Sequence, residues 1–383
     1  MKNIKIFILL SVSILSILGV WNCKREDNIK ESSNGFPEQI VVDIPDAISA
    51  TTSLKSAVAA DSLPLCPDLQ AFPADSIYWQ VRTFIGIGEF SADFIQQLVS
   101  ALKKFNISKP MEFEYTSNDD GKQKKVVVTD NASFNGVIYD LKLHMTDKTS
   151  GKTAMEMYWF KNKEEGVILA CPYYINTADQ GLQKQTMLRY KVIFYGTKTA
   201  DYDRKMLVYI SDYQPEISDV FGMTNLEMEV TKKDDLVSVG GISVHPKAFF
   251  ADTSKKGIAY CFVANASVSK NIGVIKLSLP PVNDDSVDVF TNYAVKNVIK
   301  KEMNYYLQTN FHVTADDPYV KDCVNLFLSN MESPAYYKAT GYVGCGANVP
   351  GTEFSQDLLA LPLVAPVSPK QVNNLNLAAE MTE

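Results

Sequence analysis

Val137-Ile138-Tyr139-Asp140-Leu141-Lys142-Leu143-His144-Met145-Thr146 sets Val137, Tyr139, Leu141, Leu143 and Met145 against Asp140, Lys142, His144 and Thr146. A period of two is that of a β-strand with one buried and one wet face. The rhythm begins earlier, where Met111, Phe113 and Tyr115 alternate with Glu112 and Glu114. Asn118-Asp119-Asp120-Gly121 supplies a turn, and Lys124–Thr129 returns as the second arm of a hairpin. Beyond Thr149-Ser150-Gly151 a strand covers 154–161, and others follow at 166–174, 187–196, 204–211, 225–232, 236–244, 257–264 and 272–279. That makes eleven strands over about 170 residues. They are joined by turn-like pieces such as Lys163-Glu164-Glu165-Gly166, Lys233-Asp234-Asp235 and Ser254-Lys255-Lys256-Gly257. Parallel strands need long crossovers, usually helical. Apart from Gln180–Gln185 no helical pattern separates one strand from the next. The expectation is a mainly β fold, a large curved antiparallel meander or partly closed barrel.

Helical patterns flank this β region. Asp75 reads as an N-cap before Ile77, Val81, Phe84 and Ile85, and Phe90, Phe94, Ile95, Leu98, Val99 and Leu102 form one stripe in Glu89–Phe105. Gly86 and Gly88 mark a joint between the two helices. Further helices are expected at about 285–308 and at 318–331, the latter opened by Asp317-Pro318. The reading is a signal segment at 1–22, a polar tether at 23–60, one β-rich domain at 61–340 with N- and C-terminal helices packed on the sheet, and an irregular tail at 341–383.

The N-terminus has its own pattern. Lys2 and Lys5 precede an apolar run from Ile6 to Val20, broken only by Ser11, Ser13, Ser16 and Gly19. A basic flank and a run of this length fit a secretory signal, and the run is short for a membrane span of roughly 20 residues. Val20-Trp21-Asn22-Cys23 then resembles the lipobox of bacterial lipoproteins, although Trp21 and Asn22 depart from the usual small residues. The resemblance implies cleavage before Cys23, acylation of that cysteine, and residence on the outer membrane, facing the periplasm or the cell surface. Removal of residues 1–22 takes Lys2 and Lys5 and changes the net charge from −7 to −9. Lipid chains, not a basic patch, then have to supply the hold on a membrane.

Composition closes off several functions. Of 383 residues, 37 are Lys or Arg and 44 are Asp or Glu, a balance that disfavours nucleic acid as a partner. Three histidines and no paired-cysteine motif leave no ordinary metal site, and no cofactor is expected. Gly86-Ile87-Gly88-Glu89-Phe90-Ser91 approaches a dinucleotide loop but lacks the preceding strand and the βαβ unit. Val343-Gly344-Cys345-Gly346 presents a thiol on a tight backbone, yet no spacing links it to His144, His245 or His312, so no catalytic residue is assigned. The acidic pairs Glu112/Glu114 and Glu227/Glu229 read as the solvated side of amphipathic strands, and nothing marks these or Asp284/Asp285 as a catalytic pair. Besides Cys23 there are Cys66, Cys171, Cys261, Cys323 and Cys345, and an exported chain is free to bridge them. Cys323–Cys345 is the first candidate for a bridge.

Nineteen Tyr and nineteen Phe distinguish the chain, many on strands. The inward members Phe113, Tyr115, Tyr139, Trp159, Tyr190 and Phe194 are candidates to line a hydrophobic pocket. In order and number of elements the chain is similar to the periplasmic lipoprotein-carrier fold and its mycobacterial lipid-binding relatives. That similarity implies an acyl or lipid ligand in an apolar cavity. The other reading is a structural or surface lipoprotein that has a partner protein and no ligand cavity.

Overall fold

The computed structural model describes residues 36–50 and 76–381. Thirteen strands form one sheet whose spatial order is the order of the sequence, and the sheet does not close on itself. The strands are β1 (Met111–Thr116), β2 (Gln123–Phe134), β3 (Val137–Asp147), β4 (Thr153–Trp159), β5 (Glu165–Ala170), β6 (Arg189–Tyr195) and β7 (Arg204–Ser211). Then come β8 (Asn225–Lys233), β9 (Leu236–His245), β10 (Ile258–Ser267), β11 (Ile272–Ser278), β12 (Ala335–Lys338) and β13 (Gly341–Cys345). The eleven expected strands are β1–β11, and the fold class is the expected antiparallel meander flanked by helices.

Local chemistry sets the register. Phe134 pairs with Val137 across Asn135 and Gly136, whose φ angles are 47° and 80°. Two left-handed residues are what a tight hairpin turn requires, and Asn and Gly adopt that conformation at least cost. Asp235, in the turn between β8 and β9, accepts Ser267 Oγ at 2.6 Å and Ser269 N at 2.7 Å, tying that turn to the one between β10 and β11.

α1 (Ser76–Lys103) is a single 28-residue helix that runs through Gly86 and Gly88 without a joint. The two glycines answer to close approach. A Cβ on Gly86 would stand 2.6 Å from the Ala50 carbonyl oxygen, and one on Gly88 would stand 2.4 Å from the Met228 methyl. Ile77, Tyr78, Val81, Phe84, Ile85, Ala92, Ile95, Val99 and Leu102 are all buried, a continuous seam at three- and four-residue spacing. The later helices are α2 (Pro172–Ile175), α3 (Val289–Asn292), α4 (Val295–Phe311), α5 (Lys321–Leu328), α6 (Gln356–Leu359) and α7 (Pro369–Asn373).

Two compact units divide the described residues: 36–41, 91–224 and 376–381 make one, and 42–90 with 225–375 make the other. The sequence suggested one domain with a tether as far as residue 60. Instead Phe36, Ile40, Val41, Val42, Ile44, Ala47 and Ile48 are buried, so packed chain begins by residue 36. No strand forms at 39–45. Nor is the C-terminal region irregular, for it holds β13, α6 and α7.

In the second unit that region covers one side of the sheet. Val372 and Ala365 pack with Ile242, Val244, Cys261 and Val263, while Phe354 and Leu358 pack with Ile272, Val274 and Tyr336. Asn225 and Asn265 fasten it by donating to the carbonyls of Val372 (2.8 Å) and Asp357 (3.2 Å). The opposite side meets α1, where Phe84 lies 5.3 Å from Tyr260 and 5.1 Å from His245. A sheet covered on both sides explains why all ten residues of β10 are buried.

Candidate functional site

The aromatic set splits by position. Register places Trp159, Phe194 and Tyr190 on one face: Trp159 opposes Gly166, Gly166 opposes Phe194, and Ala170 opposes Tyr190. Each is packed against its own chain. Trp159 is fully buried with Phe36 edge-on at 5.4 Å. Phe194 occupies room left by Gly166, where a Cβ would come within 2.7 Å of its ring. Phe94 of α1 stands edge-on to Tyr190 at 6.1 Å, and burial, partly offset by Ser91, pushes the Tyr190 phenol up to about 12.

Phe113 and Tyr115 are half-buried on β1, beside Phe105, which stacks on Phe113 at 4.4 Å. Tyr115 donates to Met145 Sδ at 3.6 Å, and its burial raises the phenol to about 12. Tyr139 belongs to a different cluster, with Phe134, Tyr158, Val167 and Leu169, and with Phe160 at 4.8 Å. The six residues therefore do not surround one space.

The same unit holds two polar clusters. Lys124 Nζ donates to Asp147 Oδ2 at 2.8 Å, to Asp120 Oδ2 at 2.9 Å and to the Tyr174 carbonyl at 2.9 Å. Three donors meet three acceptors, so the buried ammonium is satisfied. Burial works against ionisation of Asp147, but Lys124 and Ser150 outweigh it and leave the carboxyl below its ordinary range. In the other cluster Glu156 is sealed from solvent and pairs with Lys142 at 2.7 Å. His144 Nε2 lies 3.0 Å from Thr153 Oγ1, and burial lowers its basicity despite the Glu156 charge nearby.

The cysteines do not form the expected bridge. Cys345 is a half-exposed free thiol whose Sγ donates to the Ser329 carbonyl at 3.6 Å. Cys323 is disulfide-bonded. Cys171 and Cys261 are free as well, and both are buried. Cys23, the expected site of acylation, lies outside the described residues together with the whole signal segment.

One arrangement escapes a reading of the sequence. Ser243 Oγ and His245 Nε2 are 2.8 Å apart on β9, the spacing of a nucleophile and its base. Ser243 is 0 % and His245 2 % exposed, beneath Phe84 and Tyr260, so no substrate reaches the pair. It joins buried polar groups inside the core. The i, i+2 spacing could be read on the strand; burial of the pair depends on α1, distant in sequence. The acidic pairs are also engaged: Glu112 with Lys125, Glu114 with Lys148, and Asp285 with Lys370.

A shallow, open depression of about 360 Å³ is lined by Val349, Pro350, Thr352, Phe354, Gln356 and Leu359. It contains no ionisable side chain and no general acid or base. Among the described residues no group of three or more His, Cys, Asp and Glu is placed to hold a metal, and no helix is long and apolar enough to cross a membrane. The chain matches no protein-family model, no curated protein and no solved structure.

Proposed function

We propose that this chain is an exported lipoprotein, held on the outer membrane by acyl chains on Cys23, whose folded part acts through its surface on a partner protein. The observation that carries the choice of surface over cargo is the packing of Trp159, Tyr190 and Phe194. A carrier would leave such a stripe facing open space for an acyl chain. Here Phe36 and Phe94 occupy that side, so the stripe stabilises the fold. The disulfide at Cys323 supports export, because bridges persist in oxidising compartments and are rare in the cytosol.

The test has two arms. Cells expressing the parent chain or Cys23→Ala are fed a radioactive fatty acid, and the label should enter the parent alone. The purified protein is then titrated with a fluorescent fatty acid and extracted for bound lipid. The surface reading expects no saturable binding and no stoichiometric lipid. Equal labelling of both chains would remove the tether, and one bound lipid per chain would replace the surface reading by the carrier reading.

A further inference from the structure

A loop and a helix of the second unit meet to form a basic surface on an acidic chain. The loop connecting β9 to β10 carries Lys247, Lys255 and Lys256, all exposed. Gly257 N donates to the Ala248 carbonyl at 2.8 Å, which draws the two ends of the loop, and with them Lys247 and Lys256, together. Glu302 of α4 accepts the backbone N–H groups of Ala251 and Asp252, each at 3.0 Å, and so seats the loop against the helix. One residue before it, Lys301 is exposed, and Tyr305 lies one helical turn beyond Lys301 on the same face with 40 % of its surface open. Lys255 is close enough to Tyr305 and Glu302 for both to act on its ammonium.

Two carboxylates, Asp252 and Glu302, stand against these four lysines. Asp252 accepts Ser254 Oγ at 2.6 Å and pairs with Lys255 at 3.2 Å, and Glu302 is taken by the loop backbone. Lys247, Lys256 and Lys301 are exposed and have no ion-pair partner among the described residues. Four lysines around one open phenol thus face water on a chain whose net charge is −7. A net positive field, four lysines against two carboxylates, beside an amphipathic ring fits a plane of anionic headgroups: the ammonium groups meet phosphate, and the phenol sits at headgroup depth.

Resting on the tether reading above, we propose that Lys247, Lys255, Lys256, Lys301 and Tyr305 form the face that lies against the anionic lipid surface of the bilayer to which Cys23 is attached. The acyl chains set residence, and this face sets which side of the folded chain meets the headgroups.

The test uses the full mature chain bearing Cys23→Ser, so that vesicle binding reports the face without the lipid. It is sedimented with phosphatidylcholine vesicles made with or without phosphatidylglycerol, at low and high salt. Binding should require the anionic lipid and be lost at high salt. The variant Lys255→Gln/Lys256→Gln/Lys301→Gln should weaken partition about fivefold per lysine. Tyr305→Ala should weaken it further, and Lys109→Gln, an exposed lysine of the other unit, should leave it unchanged. Thermal melting of every variant checks that the fold is kept. No binding to anionic vesicles, equal binding to neutral ones, retention by soluble polyphosphate alone, or a triple variant that binds like the parent would each overturn the proposal. Acylation is read separately on the parent. Labelled Cys23 with no vesicle binding removes this face only, and vesicle binding without label removes the tether only.

Discussion

Lys124 Nζ lies 2.8 Å from Asp147 Oδ2 with both side chains sealed from solvent, and the same ammonium reaches Asp120 across the turn that joins β1 to β2. Removing one partner of such a cluster strands the others in a low-dielectric site. Lys124→Met should therefore cost about 3–5 kcal/mol, read by urea denaturation. Lys124→Met/Asp120→Asn/Asp147→Asn should recover part of that loss, since it leaves no buried charge unpaired.

The same cluster sets an acid limit. The carboxyls of Asp120 and Asp147 sit below their ordinary values in the folded chain, because bonds from Lys124 and nearby backbone or Ser150 groups outweigh burial. A carboxyl with a depressed folded value contributes stability above its unfolded value, and that contribution disappears as pH falls through the folded one. Stability should thus fall steeply below about pH 4, and the slope should be shallower in Asp147→Asn. Equal slopes in the two proteins, measured by urea midpoints from pH 2 to 6, would assign the acid limit elsewhere.

Gly86→Ala is expected to destabilise, although alanine is the better helix former by about 1 kcal/mol. The added methyl would press on the Ala50 carbonyl oxygen at 2.6 Å, and backbone yields little. Overpacking of this sort costs about 1–3 kcal/mol. A rise in Tm would show that residues 42–50 move aside freely.

Thiol chemistry separates the cysteines. Native protein treated with a thiol reagent should modify Cys345 quickly, while Cys171 and Cys261 react only after unfolding, because both are buried. Cys323 should react only after reduction as well. Fast labelling of Cys323 without reductant, located by peptide mass, would contradict the bridge.

Much of the sheet was legible in the residues. Alternation across Leu141, Leu143 and Met145 follows from a face that is half wet, and the connections, too short for crossover helices over most of β1–β11, give antiparallel pairing. β12 and β13 were not legible: at 335–338 and 341–345 they are too short for a period to show. The glycines of α1 misled for a physical reason. A glycine that ends a helix and one that admits a neighbouring carbonyl look alike until the neighbour is known, and Ala50 lies 36 positions away. The aromatic set was read in the same incomplete way. The sequence marked Trp159 and Tyr190 as inward candidates, but the register that puts them on one face and the Phe36 and Phe94 rings that fill it come from other strands and from outside the sheet.

Trp159 offers a direct check. Truncation to alanine should cost about 3–5 kcal/mol, as for other buried aromatics. Its fluorescence in the folded chain should resist quenching by iodide, and Trp159→Phe should identify the protected component. Easy quenching of that component would mean that Phe36 does not cover the ring.

A sheet whose neighbours in space are always neighbours in sequence suits a chain that arrives from one end. Each hairpin can close as soon as its second arm emerges, because its partner has already passed. One side of β9 and β10 has no such early companion: Asn225 and Asn265 wait for Val372 and Asp357, more than ninety residues downstream. A molecule threaded outward amino end first would therefore carry an uncovered greasy flank until its last segment comes through, and a ribosome halted before residue 354 would leave a product with paired strands and a bare back.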